Sequence, residues 1–130
     1  MSYRNNLDSA LGVHADALQL RARRAELLGA NIANADTPGY LAKDLDFAAA
    51  LRTAQGSGAL ERRHAAHLAG GRGEAGSPLY RVPTQAAADG NTVDPQIEKG
   101  AFTENAVAYQ VELEFLGARI RGLLSAIRGE

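Results

Sequence analysis

"DPQIEKGAFTENAVAYQVELEFLGARIRGLLSAI", residues 94–127, carries no proline after its second position and repeats apolar residues in steps of four and three. From Phe102 the steps fall on Ala106, Tyr109, Leu113, Leu116, Ile120, Leu123 and Ile127, every one apolar or aromatic. That alternation keeps one face of an α-helix turned toward a partner helix. Asp94-Pro95 supplies the start. A carboxylate at the N-cap accepts otherwise unpaired N–H groups, and proline at the first helical position gives up no bond the helix would have used. A single helix over residues 95–127 is about 50 Å long at 1.5 Å per residue. A second row, Ile97, Ala101, Ala108, Val111, Phe115 and Ala118, flanks the first, so the apolar surface is wider than one neighbour covers.

The N-terminal part repeats the pattern. Steps of four and three from Leu7 reach Leu11, His14, Leu18, Arg21, Ala25, Leu28 and Ile32, and six of these eight positions are apolar. A helix is expected over residues 1–35, with Leu7, Leu11, Leu18, Leu28 and Ile32 opposite the C-terminal row. It ends in "GANIANADTPGY", residues 29–40. Asn31 and Asn34 suit a last turn, since asparagine tolerates left-handed backbone angles and its side chain can satisfy backbone groups left unpaired. Thr37, Pro38, Gly39 and Tyr40 complete the helix exit. Pro38-Gly39 fits the two central positions of a type II turn, and Tyr40 is an anchor whose hydroxyl needs a polar partner.

Residues 36–93 read differently. Asp46 is placed to cap a short helix, "FAAALRTA", and "PLYRVP" from Pro78 to Pro83 is the only plausible strand among recurrent Gly, Ser and Pro. The fold class expected is all-α. Two long terminal helices, over 1–35 and 94–130, form a coiled-coil-like pair in one structural unit, and the irregular insert over 36–93 has room for a short β-hairpin.

Fourteen Lys and Arg against fifteen Asp and Glu give a formal charge of −1, which provides no bulk attraction to nucleic acid or anionic lipid. No window is apolar enough to span a membrane, and residues 1–20 lack the apolar core and cleavage site of a secretory signal. Cysteine is absent, which removes disulfides and thiolate metal sites. His64 and His67 in "RRHAAHL" are three apart, but the metalloprotease pattern needs a spacing of four with a Glu beside the first, so no metal site is assigned. His14 lies on the helical row as an interfacial or partly exposed residue rather than a catalyst. Asp44 and Asp46 in "KDLDF" read as turn or capping residues. Arg21, Arg23, Arg24, Arg62 and Arg63, interspersed with acids, read as solvated or intersubunit salt-bridge faces. "GGRG" has neither the strand before it nor the Lys-Ser/Thr after it of a phosphate loop. No catalytic residue, cofactor or enzymatic activity is assigned.

"NIANADTPGYLAKDLDF", residues 31–47, resembles the N-terminal signature of the flagellar axial proteins of the rod, hook and hook-associated class. "DGNTVDPQIEKGAFTENAVAYQVELEFLGARIRGLLSAI", residues 89–127, is similar to the C-terminal helix of the family's short proximal-rod members, with its "DGNTVD" entry and N-x-x-x-Y-Q core. With the leading helix these blocks cover most of the chain. "KDLDF" and "DGNTVD" favour one such member over its sister FlgC, which remains the alternative within the family. The resemblance implies a structural subunit of the bacterial flagellar basal body, located in the periplasmic rod, that self-assembles and helps transmit torque. It implies passage through the type III export apparatus without a cleaved signal peptide. The implied partners are the rod subunits FlgC and FlgF, the adaptor FliE and the MS-ring protein FliF, with no nucleic acid and no direct membrane insertion. The rivals are a free-standing helical protein-binding module, which would close both apolar rows on itself, and a metal-dependent enzyme using His64 and His67.

Overall fold

The structure is a computed structural model that describes residues 11–55, 76–83 and 87–129. Its elements in chain order are α1 (Val13–Ala33), β1 (Lys43–Asp44), α2 (Phe47–Ala54), β2 (Leu79–Tyr80) and α3 (Pro95–Arg128). The start of α3 lies where the sequence places it. Asp94 accepts from the N–H groups of Gln96 and Ile97, Pro95 is the first helical residue, and Gly129 at φ 74 closes the helix in the left-handed conformation. Asp46 likewise caps α2 by accepting from Ala49 N at 2.9 Å. At the start of α1, Gly12 has φ 64, an angle that suits glycine.

The two long helices pack against each other and run antiparallel: His14 meets Glu112, Arg21 meets Asn105, and Asn31 meets Glu98. The side of α3 that faces α1 is therefore the stripe Glu98, Ala101, Asn105, Ala108 and Glu112, in steps of three and four. Glu98 and Asn105 are buried, and the other three are half-buried. This stripe shares Ala101 and Ala108 with the second row and otherwise lies between the two, so α1 rests on small and polar residues with apolar side chains on each side. Arg21 Nε and Asn105 Oδ1 are buried in this interface with no hydrogen-bond partner, and an unmet polar group subtracts from what the contact contributes.

A buried apolar cluster joins α1 to α2. Leu20, Leu45 and Ala50 are buried together, with Leu27, Phe47 and Leu51 against them, so α1 buries much of its apolar surface under α2 and the segment before it. The Arg21 guanidinium covers the Phe47 ring at 4.0 Å. Beside this core, β1 and β2 form a two-stranded antiparallel ribbon, Lys43 opposite Tyr80 and Asp44 opposite Leu79. Arg81 N donating to Ala42 O at 2.9 Å extends it. β2 falls within "PLYRVP", but its partner precedes α2, so the ribbon closes across the insert.

Candidate functional site

The described residues contain no group of three or more His, Cys, Asp or Glu able to hold a metal ion, and none of their helices is long and apolar enough to cross a membrane. His64 and His67 lie outside the described residues, as do Arg62, Arg63 and Leu7. What the described residues do contain is a polar junction at one end of the helix pair and two apolar flanks along α3.

The junction begins at the end of α1. Asn34 closes the helix, its backbone N–H and side-chain amide both donating to Ala30 O, at 3.1 and 2.8 Å. Its Oδ1 accepts from Thr37 Oγ1 at 3.1 Å. Asn34 has φ −102, and no described non-glycine residue has positive φ, so the left-handed angles anticipated for the asparagines are not used. The turn follows expectation: Gly39 has φ 71, and Tyr40 N donates to Thr37 O at 3.3 Å across Pro38-Gly39.

Asn31 does something other than finish the helix. Fully buried, it imitates a neighbouring β-strand: its Oδ1 accepts from Lys43 N at 3.1 Å and its Nδ2 donates to Lys43 O at 2.7 Å. The same Nδ2 donates to Glu98 Oε2 at 3.0 Å, and the Tyr40 hydroxyl donates to Asn31 Oδ1 at 3.4 Å. One amide therefore holds β1 extended and ties it to α3.

Two groups complete the junction, one that sequence reasoning did not assign and one in which Asp44 and Arg24 act otherwise than expected, Arg24 pairing within the chain. The first is the "DGNT" turn. Asn91 Nδ2 donates toward Asn34 O, Ala35 O and Thr37 O at 3.1, 2.8 and 2.9 Å, capping α1 with a residue far along the chain. Asn91 Oδ1 accepts from Val93 N at 2.8 Å. Gly39 N donates to Asp89 O at 2.9 Å, Thr92 N donates to Tyr40 O at 3.0 Å, and Ala42 N donates to Thr92 Oγ1 at 2.8 Å. The helix exit and the entry to α3 are thus stapled side by side.

The second group is ionic. Asp44 does not act as the turn or capping residue expected. Arg24 grips it with two bonds, Nε to Oδ1 at 2.9 Å and Nη2 to Oδ2 at 3.0 Å, and Arg81 adds Nη2 to Oδ2 at 2.5 Å. Arg81 also pairs through Nη1 with Oε1 of the buried Glu98. Burial pushes the Asp44 carboxyl up, but hydrogen bonds from Arg24, the Leu45 N–H and Arg81 outweigh it and hold the group below its ordinary value. The pairing with Asp44 raises Arg24. Two arginines and two carboxylates balance, so four charges are held at the meeting of α1, β1, β2 and α3 without a net charge.

Along α3, Phe102, Ala106, Leu113, Ile120 and Ile127 are exposed, and Tyr109, Leu116 and Leu123 are half-buried. On the other flank Ile97, Val111 and Phe115 are exposed. Opposite, Leu28 is fully buried while Leu11, Leu18 and Ile32 are half-buried. His14 accepts its interfacial place, with Nδ1 at 2.8 Å from Glu112 Oε2 and its ring stacked on Phe115 at 5.6 Å. Residues 116–128 continue about 20 Å beyond that stack.

The family model described as flagella basal body rod protein matches residues 11–40, the second half of which is the end of α1 and the exit turn. Three relatives are named flagellar basal body rod protein FlgB. That of Cereibacter sphaeroides is 50% identical over 121 residues, covering 92% of this chain and 94% of the relative. The Aeromonas hydrophila protein is 46% identical over 129 residues, and the Salmonella typhimurium protein 43% over 136, each alignment covering 96% of this chain and 97% of the relative.

Proposed function

Since the chain belongs to the FlgB family of flagellar basal body rod proteins, we propose that it is built into the rod through the apolar flanks of α3 and helps carry torque there. The supporting observation is that α1 leaves much of both apolar flanks of α3 uncovered. Phe102, Leu113 and Ile120 on one side, and Val111 and Phe115 on the other, remain exposed in steps that suit helical neighbours. A contiguous apolar surface of this length disfavours an isolated monomer and favours association. The polar junction supplies the complementary property, a fixed angle between the helix pair and the insert, so that a load on one reaches the other.

In this reading the chain passes the type III export apparatus without a cleaved signal peptide and reaches the periplasmic part of the basal body. It packs there against copies of itself, the rod subunits FlgC and FlgF, the adaptor FliE and the MS-ring protein FliF. The subunit is structural and needs no cofactor. Leu116→Asp tests the reading by placing a charge on the half-buried edge of the flank. Complementing a strain that lacks the native gene with this variant is expected to give exported subunit but no rods in purified basal bodies. Normal rods would refute assembly through this row. A variant and wild-type chain that both remain stable monomers at high concentration would favour the free-standing binding module.

A further inference from the structure

We propose that residues 78–83 form a strap, hinged at Gly76 and Ser77 and fastened to the helix pair by Arg81, able to swing away from it while α1 and α3 stay paired. The inference concerns the chain by itself and does not rest on the rod reading. The strap has little apolar hold. Leu79, Tyr80 and Val82 are 60%, 65% and 82% exposed, so their side chains turn little area away from solvent. Its main-chain hold is short: two paired residues on each strand and the Arg81 N to Ala42 O bond. A ribbon of that length is not stable alone. Gly76 anchors the near end, where an added Cβ would lie 3.1 Å from Leu20 Cδ2 and 3.4 Å from Leu45 Cδ1.

Arg81 is different in kind. Among the described residues it is the side chain of positions 79–83 that makes ion pairs, and it makes two, to Asp44 on β1 and to Glu98 on α3. Tyr80 adds a weak contact, its ring 5.5 Å from Lys43 Nζ. The helix pair has its own fastenings, His14 to Glu112 and Asn105 to Arg21 O, neither of which involves the strap, and Asn31 to Glu98, which uses the Glu98 oxygen that Arg81 does not. Asp44 also keeps a cation when Arg81 leaves, because Arg24 binds it through two bonds. Glu98 alone is stranded, buried with Asn31 as its remaining partner, and that stranding holds the strap closed. An open strap carries its apolar side chains to a new position without remodelling the helices.

The chain has no cysteine, so Val82→Cys with Gln110→Cys, both at exposed positions, provides two unique spin-label sites. The labelled full chain is expected to show one narrow distance distribution between strap and α3. Adding Arg81→Gln with Glu98→Gln removes the tie without leaving a buried charge, and the Gln amide oxygen can still accept from Asn31 Nδ2. In that variant the narrow peak is expected to be lost while far-UV helicity is retained. An unchanged distribution would overturn the inference, because other contacts would then hold the strap. Loss of helicity together with the peak would overturn it as well, because the strap and helices would then be one unit. Arg81→Lys, which reaches one carboxylate at a time, is expected to give both closed and open distances; a distribution matching wild type would show that bridging two elements is not what fastens the strap.

Discussion

Replacing Asn91 separates its hydrogen bonding from its volume. The side-chain amide has two protons for the carbonyls of Asn34, Ala35 and Thr37, and its oxygen takes the Val93 N–H. Asn91→Ala therefore deletes two donor bonds and one acceptor bond. At a net contribution of about 1 kcal/mol each, the loss is about 2–3 kcal/mol. The carbonyls lie near the surface and regain water, which keeps the cost from rising further. Asn91→Asp has nearly the volume of asparagine and keeps the bond from Val93, but turns a carboxylate toward three carbonyl oxygens. It is expected to destabilise by more than alanine does, although it changes fewer atoms. Urea unfolding followed by far-UV circular dichroism measures this. With a slope of about 1–3 kcal/mol/M, the alanine variant should lower the midpoint by about 0.7–3 M. An aspartate variant as stable as wild type, or more stable than the alanine variant, would refute the assignment of Asn91 as a donor to the helix exit.

Three further outcomes are expected. Gly39→Val forces a β-branched residue to φ 71 and should cost more than the roughly 1–2 kcal/mol of an ordinary left-handed residue; no change in the thermal midpoint would argue against the turn. Asp44 has its carboxyl held below the ordinary value of 3.8 in the folded chain, so it contributes stability above that pH that is lost as the pH falls through the lower folded value. Asp44→Asn should flatten the acid limb of a stability-against-pH curve below pH 3.8, and an acid limb identical to wild type would exclude the pairing as its source. Asp94→Ala removes the acceptor for Gln96 N and Ile97 N and should cost about 1 kcal/mol, read as weaker hydrogen-exchange protection over the first turn of α3; unchanged protection would count against the cap.

The helix ends and the exit turn were legible because each rests on local chemistry. Asp94-Pro95, Asp46 and Pro38-Gly39 do their work within a few residues of themselves. The polar junction was not legible, because its partners are distant in the chain. Asn91 caps a helix that ended dozens of residues earlier, and Arg81 joins β1 to α3. The side of α3 turned to α1 was also hidden, for a different reason. An apolar count follows Phe102 through Ile127, whereas α1 takes a stripe that lies largely between the rows. The available signal was polar: Glu98, Asn105 and Glu112 recur every seventh residue, and a polar side chain repeated at one register position of a long helix points to a specific partner.

The staple between Tyr40 and Thr92 has a consequence for how this architecture can vary. The chain leaves the helix pair and returns to it at one place, with Thr92 N bonded to Tyr40 O and Ala42 N to Thr92 Oγ1. Whatever lies between begins and ends at neighbouring points, whatever its size. Closing a longer loop costs only about 0.6 kcal/mol for each doubling of length. A larger folded module could be grafted beyond residue 55 without moving either helix, which makes the junction a natural point at which one helical frame can acquire different outer parts.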